Sequence, residues 1–350
     1  MTKTAIVILN WNGIEFLKKF LPPLIKNSNI AGAKIIIADN ASNDESVPFL
    51  KEKYPQIQLI ELGKNFGFAE GYNRALKTIE ADYFLLLNSD IEVTPNWLDP
   101  LVSFMDNHHE FAACAPVLLD YYHKNNYEYA GAAGGYIDKY GYTFCRGRIF
   151  GNVEQADSIP SQPMEVFWTT GACMMVRRDL FMAQEGFDSR FFAHMEEVDL
   201  CWRLKNKGHK LAIIPQSKVY HVGGGTLPKN NPFKTYLNFR NNLYLLYKNL
   251  PDKELKRTLR IRKNLDRLSA IMFLLTFKLK DFVAVFKAHK TFRSTQHVYE
   301  NIRKEKTNSG NALHPEIYRK SLVYDYFIIR NKTFDKLRDN FPDEMAKRIA

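Results

Sequence analysis

Several polar side chains in this chain stand directly after short apolar runs, where a residue at the edge of a sheet can meet a ligand. Asp39 follows Ile36-Ile37-Ala38 and precedes Asn40-Ala41-Ser42. A carboxylate there can accept the imide N–H of a uracil or thymine ring, a donor that cytosine lacks at N3. Asp39, Ser42 or Asn43 could equally cap a helix. Asn88-Ser89-Asp90 follows Tyr83-Phe84-Leu85-Leu86-Leu87. An acid at that edge can hold a hard divalent cation against a diphosphate and so neutralise charge on a departing nucleotide. One Asp is an incomplete ligand set, and His221, at the end of Lys218-Val219-Tyr220 and just before three glycines, is the candidate second ligand. An isolated histidine is more often structural.

The densest acidic cluster is Glu196-Glu197-Val198-Asp199-Leu200, followed by Arg203. On a helix, positions 196, 199 and 203 share a face, and Glu197 points about 100° away from Glu196. One such carboxylate can act as general base toward a hydroxyl if burial or a like charge raises its pKa toward neutrality. Acids at a helix start are also favoured simply by the macrodipole. In Asn65-Phe66-Gly67-Phe68-Ala69-Glu70-Gly71-Tyr72-Asn73, small residues at 67, 69 and 71 allow a ligand near a helix start. Asn73, two turns beyond Gly67, could face the same cleft. The segment has neither the GxGxxG spacing of a dinucleotide fold nor the GK[ST] of a P-loop.

These groups need a scaffold that gathers strand ends. Ala5–Leu9, Lys34–Ala38, Ile57–Leu62 and Tyr83–Leu87 read as strands buried on both faces, and Glu15–Asn27 and Phe68–Glu80 as helices. This βαβ alternation predicts a parallel sheet with right-handed crossovers and ligands at its carboxyl edge. Residues 120–165, rich in Gly, Tyr and Asn, read as hairpin and loop. A strand at Cys173–Val176, a short helix near Arg178, a helix at Glu196–Lys207 and strands near Leu211–Ile214 and Lys218–Tyr220 follow. Gly223-Gly224-Gly225 and Pro228–Pro232 mark a hinge. Beyond it, Tyr236–Leu250 and Lys253–Lys287 read as helices.

The 350 residues are 45% hydrophobic and 25% charged, which excludes a disordered or collagen-like chain and allows one sizeable core with an appendage. The four cysteines form no CxxC pair, so neither a disulfide scaffold nor a thiolate zinc site is indicated, and a reducing cytosol fits. Met1–Leu9 meets Asn10 and Asn12 too early for a secretory signal. Residues 233–350 hold 26 Lys and Arg against 12 Asp and Glu, whereas residues 1–232 hold 23 against 26. The basic excess therefore belongs to the last third, and it suits either a phosphate-bearing partner or a solvated helical surface. Leu268–Phe277, only about ten residues, is too short to cross a bilayer. With Arg260, Arg262, Lys263, Arg267, Lys278, Lys280, Lys287 and Lys290 around it, it fits a helix on an anionic membrane surface or one packed on its own domain.

Together these segments resemble the bacterial rhamnosyltransferase-like branch of the inverting glycosyltransferase family 2. The resemblance covers about residues 3–250 and rests on the order of Val7-Ile8-Leu9-Asn10-Trp11-Asn12-Gly13, Ala38-Asp39-Asn40-Ala41-Ser42, Asn65-Phe66-Gly67-Phe68-Ala69, Leu87-Asn88-Ser89-Asp90, Thr170-Gly171-Ala172, Gly186-Phe187-Asp188, Glu196-Glu197-Val198-Asp199-Leu200-Cys201-Trp202-Arg203 and Arg240-Asn241. It implies an α/β chain with the GT-A nucleotide-diphospho-sugar transferase fold, a Rossmann-like, mostly parallel sheet. It divides the chain into a catalytic domain at 1–232, with a nucleotide-binding half at 1–120 and an acceptor half at 121–232, and a basic helical extension at 233–350.

By the same resemblance Asp39 contacts the pyrimidine, and Asn10, Asn12, Asn65, Gly67, Asn73, Asn88, Ser89 and Asp90 line the nucleotide pocket. Asp90 and His221 are the implied ligands of Mg2+ or Mn2+, and Glu197 is the implied base. Trp168, Thr170, Gly171, Glu196, Asp199 and Arg203 fall near donor sugar or acceptor. The implied partners are a UDP- or dTDP-sugar, dTDP-rhamnose among them, and a saccharide or lipid-linked saccharide. The expected place is the cytoplasm, with the basic tail on the inner face of the plasma membrane; the oligomeric state is open. The sequence departs from the family at Asn88, where the first acid of a DxD motif is common, at Glu197, where Asp is common, and at Tyr72, where many relatives have Arg. The [QR]xxRW motif of processive synthases is absent.

Two rivals make contrasting demands. A sugar-nucleotide nucleotidyltransferase needs a Gly-rich basic loop after the first strand, where this chain has Asn10-Trp11-Asn12-Gly13-Ile14-Glu15. A nucleic-acid-binding protein could stack bases on Tyr236, Phe239, Tyr244 and Tyr247 beside Arg240. The helical spacing of Tyr236, Phe239, Leu243 and Leu246 points instead to packing, so no nucleic acid is expected.

Overall fold

The computed structural model describes residues 2–157, 159–223, 231–306, 314–342 and 345. The four apolar runs of the first half are β1 (Thr4–Asn10), β2 (Ala33–Asp39), β3 (Gln58–Glu61) and β4 (Tyr83–Leu87), joined through α1 (Ile14–Asn27), α2 (Ser46–Lys53) and α3 (Gly67–Leu76). They pair in parallel in the order β3-β2-β1-β4. Alternate residues of β1 enter different cores, which explains its unbroken apolar run. Ala5 and Val7 pack with α3, and Ile6 and Ile8 pack with Leu17, Leu21 and Leu24 of α1.

After β4 come β5 (Ile91–Val93), α4 (Asp99–Asn107) and β6 (Phe111–Asp120). Residues 120–165 are more ordered than their composition suggests. They contain β7 (Gly135–Asp138), β8 (Thr143–Cys145), β9 (Arg148–Ile149) and β10 (Asn152–Val153), an antiparallel sheet of very short strands. Then β11 (Met164–Glu165), β12 (Cys173–Arg177), α5 (Arg178–Ala183), α6 (Glu196–Asn206) and β13 (Lys210–His221) extend the main sheet in the order β11-β13-β6-β12-β4, with β5 also on β13. Strand β12 runs antiparallel to both neighbours. The two strands expected at 211–220 are one strand with a register shift between Ile214 and Lys218. Pro215, which has no N–H for the ladder, lies in that shift.

The tail forms α7 (Pro232–Asn249), α8 (Asp252–Leu275), α9 (Leu279–Thr295) and a two-residue strand, β14 (Ile317–Tyr318), that pairs with β7. The hinge expected at 223–232 lies, apart from its ends, outside the described residues. The single helix expected at 253–287 is two. Phe277 takes a left-handed conformation (φ 57°), Phe277 N donates to Leu274 O and Lys278 N to Phe273 O, so α8 ends in a Schellman turn. Asp266 of α8 meets His289 of α9 at 3.0 Å, so the helices fold back as a hairpin.

The tail shares a core with β6, β12 and α6. Leu243, Tyr244 and Leu246 are buried, Tyr247 packs on Phe292, and Phe239 packs on Phe273. The aromatics that could have stacked bases are engaged in this packing. Arg262, read as part of a basic surface, is buried and paired with Asp266 at 2.7 Å. Among the described residues no helix is long and apolar enough to cross a membrane.

Candidate active site

The ends of β1 and β2 lie in register, with Asn10 beside Asp39. Asp39 Oδ1 accepts from Ser42 N (2.8 Å), and Oδ2 accepts from Ser42 Oγ (2.7 Å) and Asn10 Nδ2 (3.0 Å). Asp39 thus closes its own turn at the end of β2 and caps no helix, since α2 begins at Ser46 after Glu45. Asn12, also left-handed (φ 51°), ties that turn to β1. Its N–H donates to Ser42 Oγ, and its side-chain oxygen accepts from Asn43 N at 2.8 Å. Asn10 Oδ1 is buried without a hydrogen-bond partner. A Cβ at Gly13 would lie 2.4 Å from that oxygen and 3.5 Å from Ser89 Oγ, so a larger residue would push Asn10 out of place.

Asn40, which sequence reasoning did not single out as a site residue, pins the 65–67 loop to β2. Its amide donates to Asn65 Oδ1 and Gly67 O, and its carbonyl accepts from Phe66 N. The start of α3 is not open to a ligand as expected. Phe68 N and Ala69 N donate to Phe192 O, and a Cβ on Gly67 (φ 76°) would meet the Phe192 ring at 2.6 Å. Asn73 also departs from expectation. Its amide donates to Phe187 O (2.7 Å) and its carbonyl accepts from Phe187 N (2.9 Å), so it fastens the 186–187 turn and both its ends are used. Tyr72 is fully buried, with its hydroxyl donating toward Val7 O and Leu87 O.

Antiparallel pairing of β5 with β13 sets His221 opposite Ile91 and so next to Asp90. His221 Nε2 lies 3.2 Å from Asp90 Oδ1, and Nδ1 lies 3.2 Å from Glu128 Oε1, without hydrogen-bond alignment at the latter. Burial alone would lower the imidazole pKa, but Glu128 and Asp90 push it up to about 10. Glu128 is a residue that sequence reasoning missed, because a lone Glu in an irregular stretch carries no signal. Its Oε2 is held by the N–H groups of Ala130 and Gly131.

Among the described residues no group of three or more His, Cys, Asp or Glu is arranged to hold a metal ion. The donors nevertheless suit a hard cation, provided that its binding displaces the proton from His221 Nε2, as any ligating imidazole requires. Asp90 Oδ1 and His221 Nε2 are spaced like two atoms bound to one ion at about 2.1 Å each, and substrate phosphate and water usually complete such a sphere. Glu128 on the far ring nitrogen is the outer carboxylate that commonly orients a ligating histidine.

Across the sheet, Glu196 and Glu197 occupy the first turn of α6, after a left-handed Met195. Each has one buried carboxylate oxygen without a partner. Glu196 is almost wholly buried, whereas Glu197 keeps partial exposure. Burial pushes the Glu197 carboxyl up to about 7, and burial together with the Glu197 charge holds Glu196 well above the carboxylate range. One of the two can therefore exchange a proton near neutrality. The loop before α6 is fastened by α7. Asn241 Nδ2 donates to the carbonyls of Phe191, Ala193 and His194, and Arg240 donates to those of Arg190 and Phe191.

The two halves of the site are contiguous. Asn88 N donates to Ala172 O, and a Cβ on Gly171 would sit between Phe68 and Glu197 Cβ, at 3.3 and 3.6 Å. A Cβ on Gly131, whose N–H binds Glu128, would meet Thr170 at 2.7 Å.

Three expected residues point elsewhere. Trp168 is buried, stacks over Gly135 and donates to Tyr136 O. Asp199 and Arg203 pair at 2.8 Å in a buried network with Asp188, Lys248 and Asn249. Burial would raise Asp199, but Lys248 and Arg203 hold it well below its ordinary range. These ions join α6 to α7 and have no free face for a sugar.

Residues 5–183 match the family described as "Glycosyl transferase family 2". The chain is 26% identical over 234 residues to "N-acetylglucosaminyl-diphospho-decaprenol L-rhamnosyltransferase" of Mycobacterium tuberculosis, covering 62% of this chain and 75% of the relative. It is 26% identical over 246 residues to "dTDP-rhamnosyl transferase RfbF" of Shigella flexneri, covering 66% and 76%. Among solved structures, GalNAc-T7 with UDP, GalNAc and Mn2+ aligns with a TM-score of 0.55 at 16% identity, over 71% of this chain and about half (48%) of that one, a likeness of fold.

Proposed function

The chain belongs to glycosyl transferase family 2 and has the GT-A fold, and from that premise we propose that it is an inverting transferase of a sugar from a UDP- or dTDP-linked donor. The names of the two relatives favour a rhamnosyl donor and a lipid-linked saccharide acceptor, in the building of cell-envelope polysaccharide. Such an acceptor puts the reaction at the inner surface of the plasma membrane.

In this reading Asp39, steadied by Asn10 and Ser42, accepts the imide N–H of the pyrimidine. Glu197 takes the proton of an acceptor hydroxyl, whose oxygen attacks the anomeric carbon from the face opposite the diphosphate. The bond from that carbon to the diphosphate oxygen breaks, and the nucleoside diphosphate leaves with its electron pair. Asp90 and His221 would hold Mg2+ or Mn2+, which when bound neutralises charge on the leaving diphosphate.

The observation that carries the reading is the Glu197 carboxyl. It is partly open, has one unpartnered oxygen, and titrates near neutrality, as a general base requires. Thermal protection by a panel of UDP- and dTDP-sugars with Mn2+, followed by transfer assays with the protecting donor, tests it. A donor that protects, with transfer lost in Glu197→Gln while protection remains, is expected. Protection by none of the panel would reject the donor assignment, and full transfer by Glu197→Gln would reject the base.

A further inference from the structure

The turn between α8 and α9 exposes an unusual amount of apolar surface. Ile271, Met272, Leu275, Phe277, Leu279 and Val283 are all at least half exposed, and Phe277 is 89% exposed. The buried face of the same hairpin is occupied by Ala270, Ala284, Val285 and Ala288, so these larger residues are surplus to its packing.

Phe277 is odd in conformation as well as in exposure. It holds the left-handed position of the Schellman turn, where glycine is favoured and a β-carbon is a steric burden. The fold alone gives no reason for a phenyl ring at that place.

The charge around the tip is mostly positive, and the one acid between Lys278 and Lys287, Asp281, accepts from the Thr235 hydroxyl. Lys278, Lys280 and Lys287 flank it, and among the described residues none of them forms an ion pair. Just behind, a cleft of about 330 Å3 is lined by Arg267, Lys290 and Arg293 over Val285, Phe286 and His289. Asp266, beside it, is already shared by Arg262 and His289. The concentration of positive charge is felt by Lys263, whose pKa is lowered by burial and then by Arg293 and Arg267.

We propose that the α8–α9 tip docks on an anionic phospholipid bilayer, with Phe277, Leu275 and Leu279 in the headgroup–acyl boundary and lipid phosphates met by the flanking lysines and the Arg267–Lys290–Arg293 cleft. An apolar wedge ringed by unpaired cations is complementary to such a surface. A second copy of this chain would bring like charges together, and a nucleic acid would leave the wedge in water. The inference does not depend on the sugar or the base assigned above.

The test is flotation of the purified full chain, without substrates, on vesicles of phosphatidylcholine alone or with phosphatidylglycerol. Binding is expected only to the mixed vesicles. Phe277→Gly removes the wedge and relieves the left-handed strain, so partitioning should fall at least about tenfold while the melting temperature holds or rises. Lys278→Glu/Lys280→Glu/Lys287→Glu should lower partitioning by about a hundredfold. Equal binding to neutral vesicles, no binding to either, or unchanged binding by both variants would overturn the proposal. So would concentration-dependent dimers abolished by Phe277→Gly, or retention on single-stranded RNA at physiological salt without vesicle binding.

Discussion

Replacing Glu197 by Gln should make the protein more stable and less active, and the stability gain should build up as the pH rises from 4.5 to about 7 and hold above it. The carboxyl has an ordinary value of 4.5 and is pushed up to about 7 in the fold by burial. Below pH 4.5 it is protonated in both folded and unfolded chains, so it has no effect there. Between pH 4.5 and 7 the unfolded chain ionises while the folded one resists, and stability falls as pH rises. At pH 8 the full penalty is present, about 3 kcal/mol. Gln cannot ionise, so the variant avoids it, and the melting temperature should rise by about 4 °C at pH 8 with little change at pH 5. Because Glu196 shares the site, removing the Glu197 charge also leaves Glu196 easier to ionise, which adds to this gain. Turnover should fall about 100- to 10,000-fold, and the parent should show an acid limb of unit slope that levels near pH 7. Scanning fluorimetry at the two pH values, with nucleoside diphosphate release as the activity assay, measures both effects. Lost activity with the same melting temperature at pH 8 would refute the raised carboxyl, and a stability gain with full activity would refute its role as base.

Asp90→Asn and His221→Gln should each weaken Mn2+-dependent donor binding in calorimetry while leaving metal-free binding little changed; equal titrations in parent and variants would remove the pair as ligands. Asn241→Ala strips three carbonyls of the 191–194 loop of their shared donor. It should cost about 3 kcal/mol in urea unfolding and lower kcat more than KM, since the loop leads into Glu196 and Glu197. Lys248→Met leaves Asp188 and Asp199 short of a counter-charge. A loss of about 3–5 kcal/mol is expected, with donor affinity unaltered in whatever fraction remains folded.

How much of this was legible before the structure depends on how local the determining interactions are. The strands carrying Asn10, Asp39 and Asp90 announce themselves, because runs buried on both faces are apolar without interruption. His221 beside Asp90 was reachable from strand ends alone, whereas Glu128, which embraces the other ring nitrogen, comes from an irregular loop. Asn73 lies on the helix expected for it, but its partner is a backbone turn 114 residues away, which no spacing rule reveals. Asp199 and Arg203 look like site residues because they sit one and two turns from Glu196 on the same face. The ammonium that occupies Asp199 comes from Lys248, on another helix, and Arg203 is taken up by Asp199 and the carbonyls of Gln184 and Gly186. The break at Thr276–Lys278 has no Gly or Pro to mark it, and β7–β10 are too short to show a period.

The two-residue strand β14 bears on how the molecule is made. As the ribosome extrudes the chain from its amino end, the edge of β7 waits for a partner that is about 180 residues further along. For that interval β7 displays bare amides and carbonyls, the kind of margin on which nascent polypeptides adhere to one another. Shortening the tail before Ile317 would make that interval permanent, so such truncations should precipitate during expression even when every residue around Asp90 and Glu197 is intact.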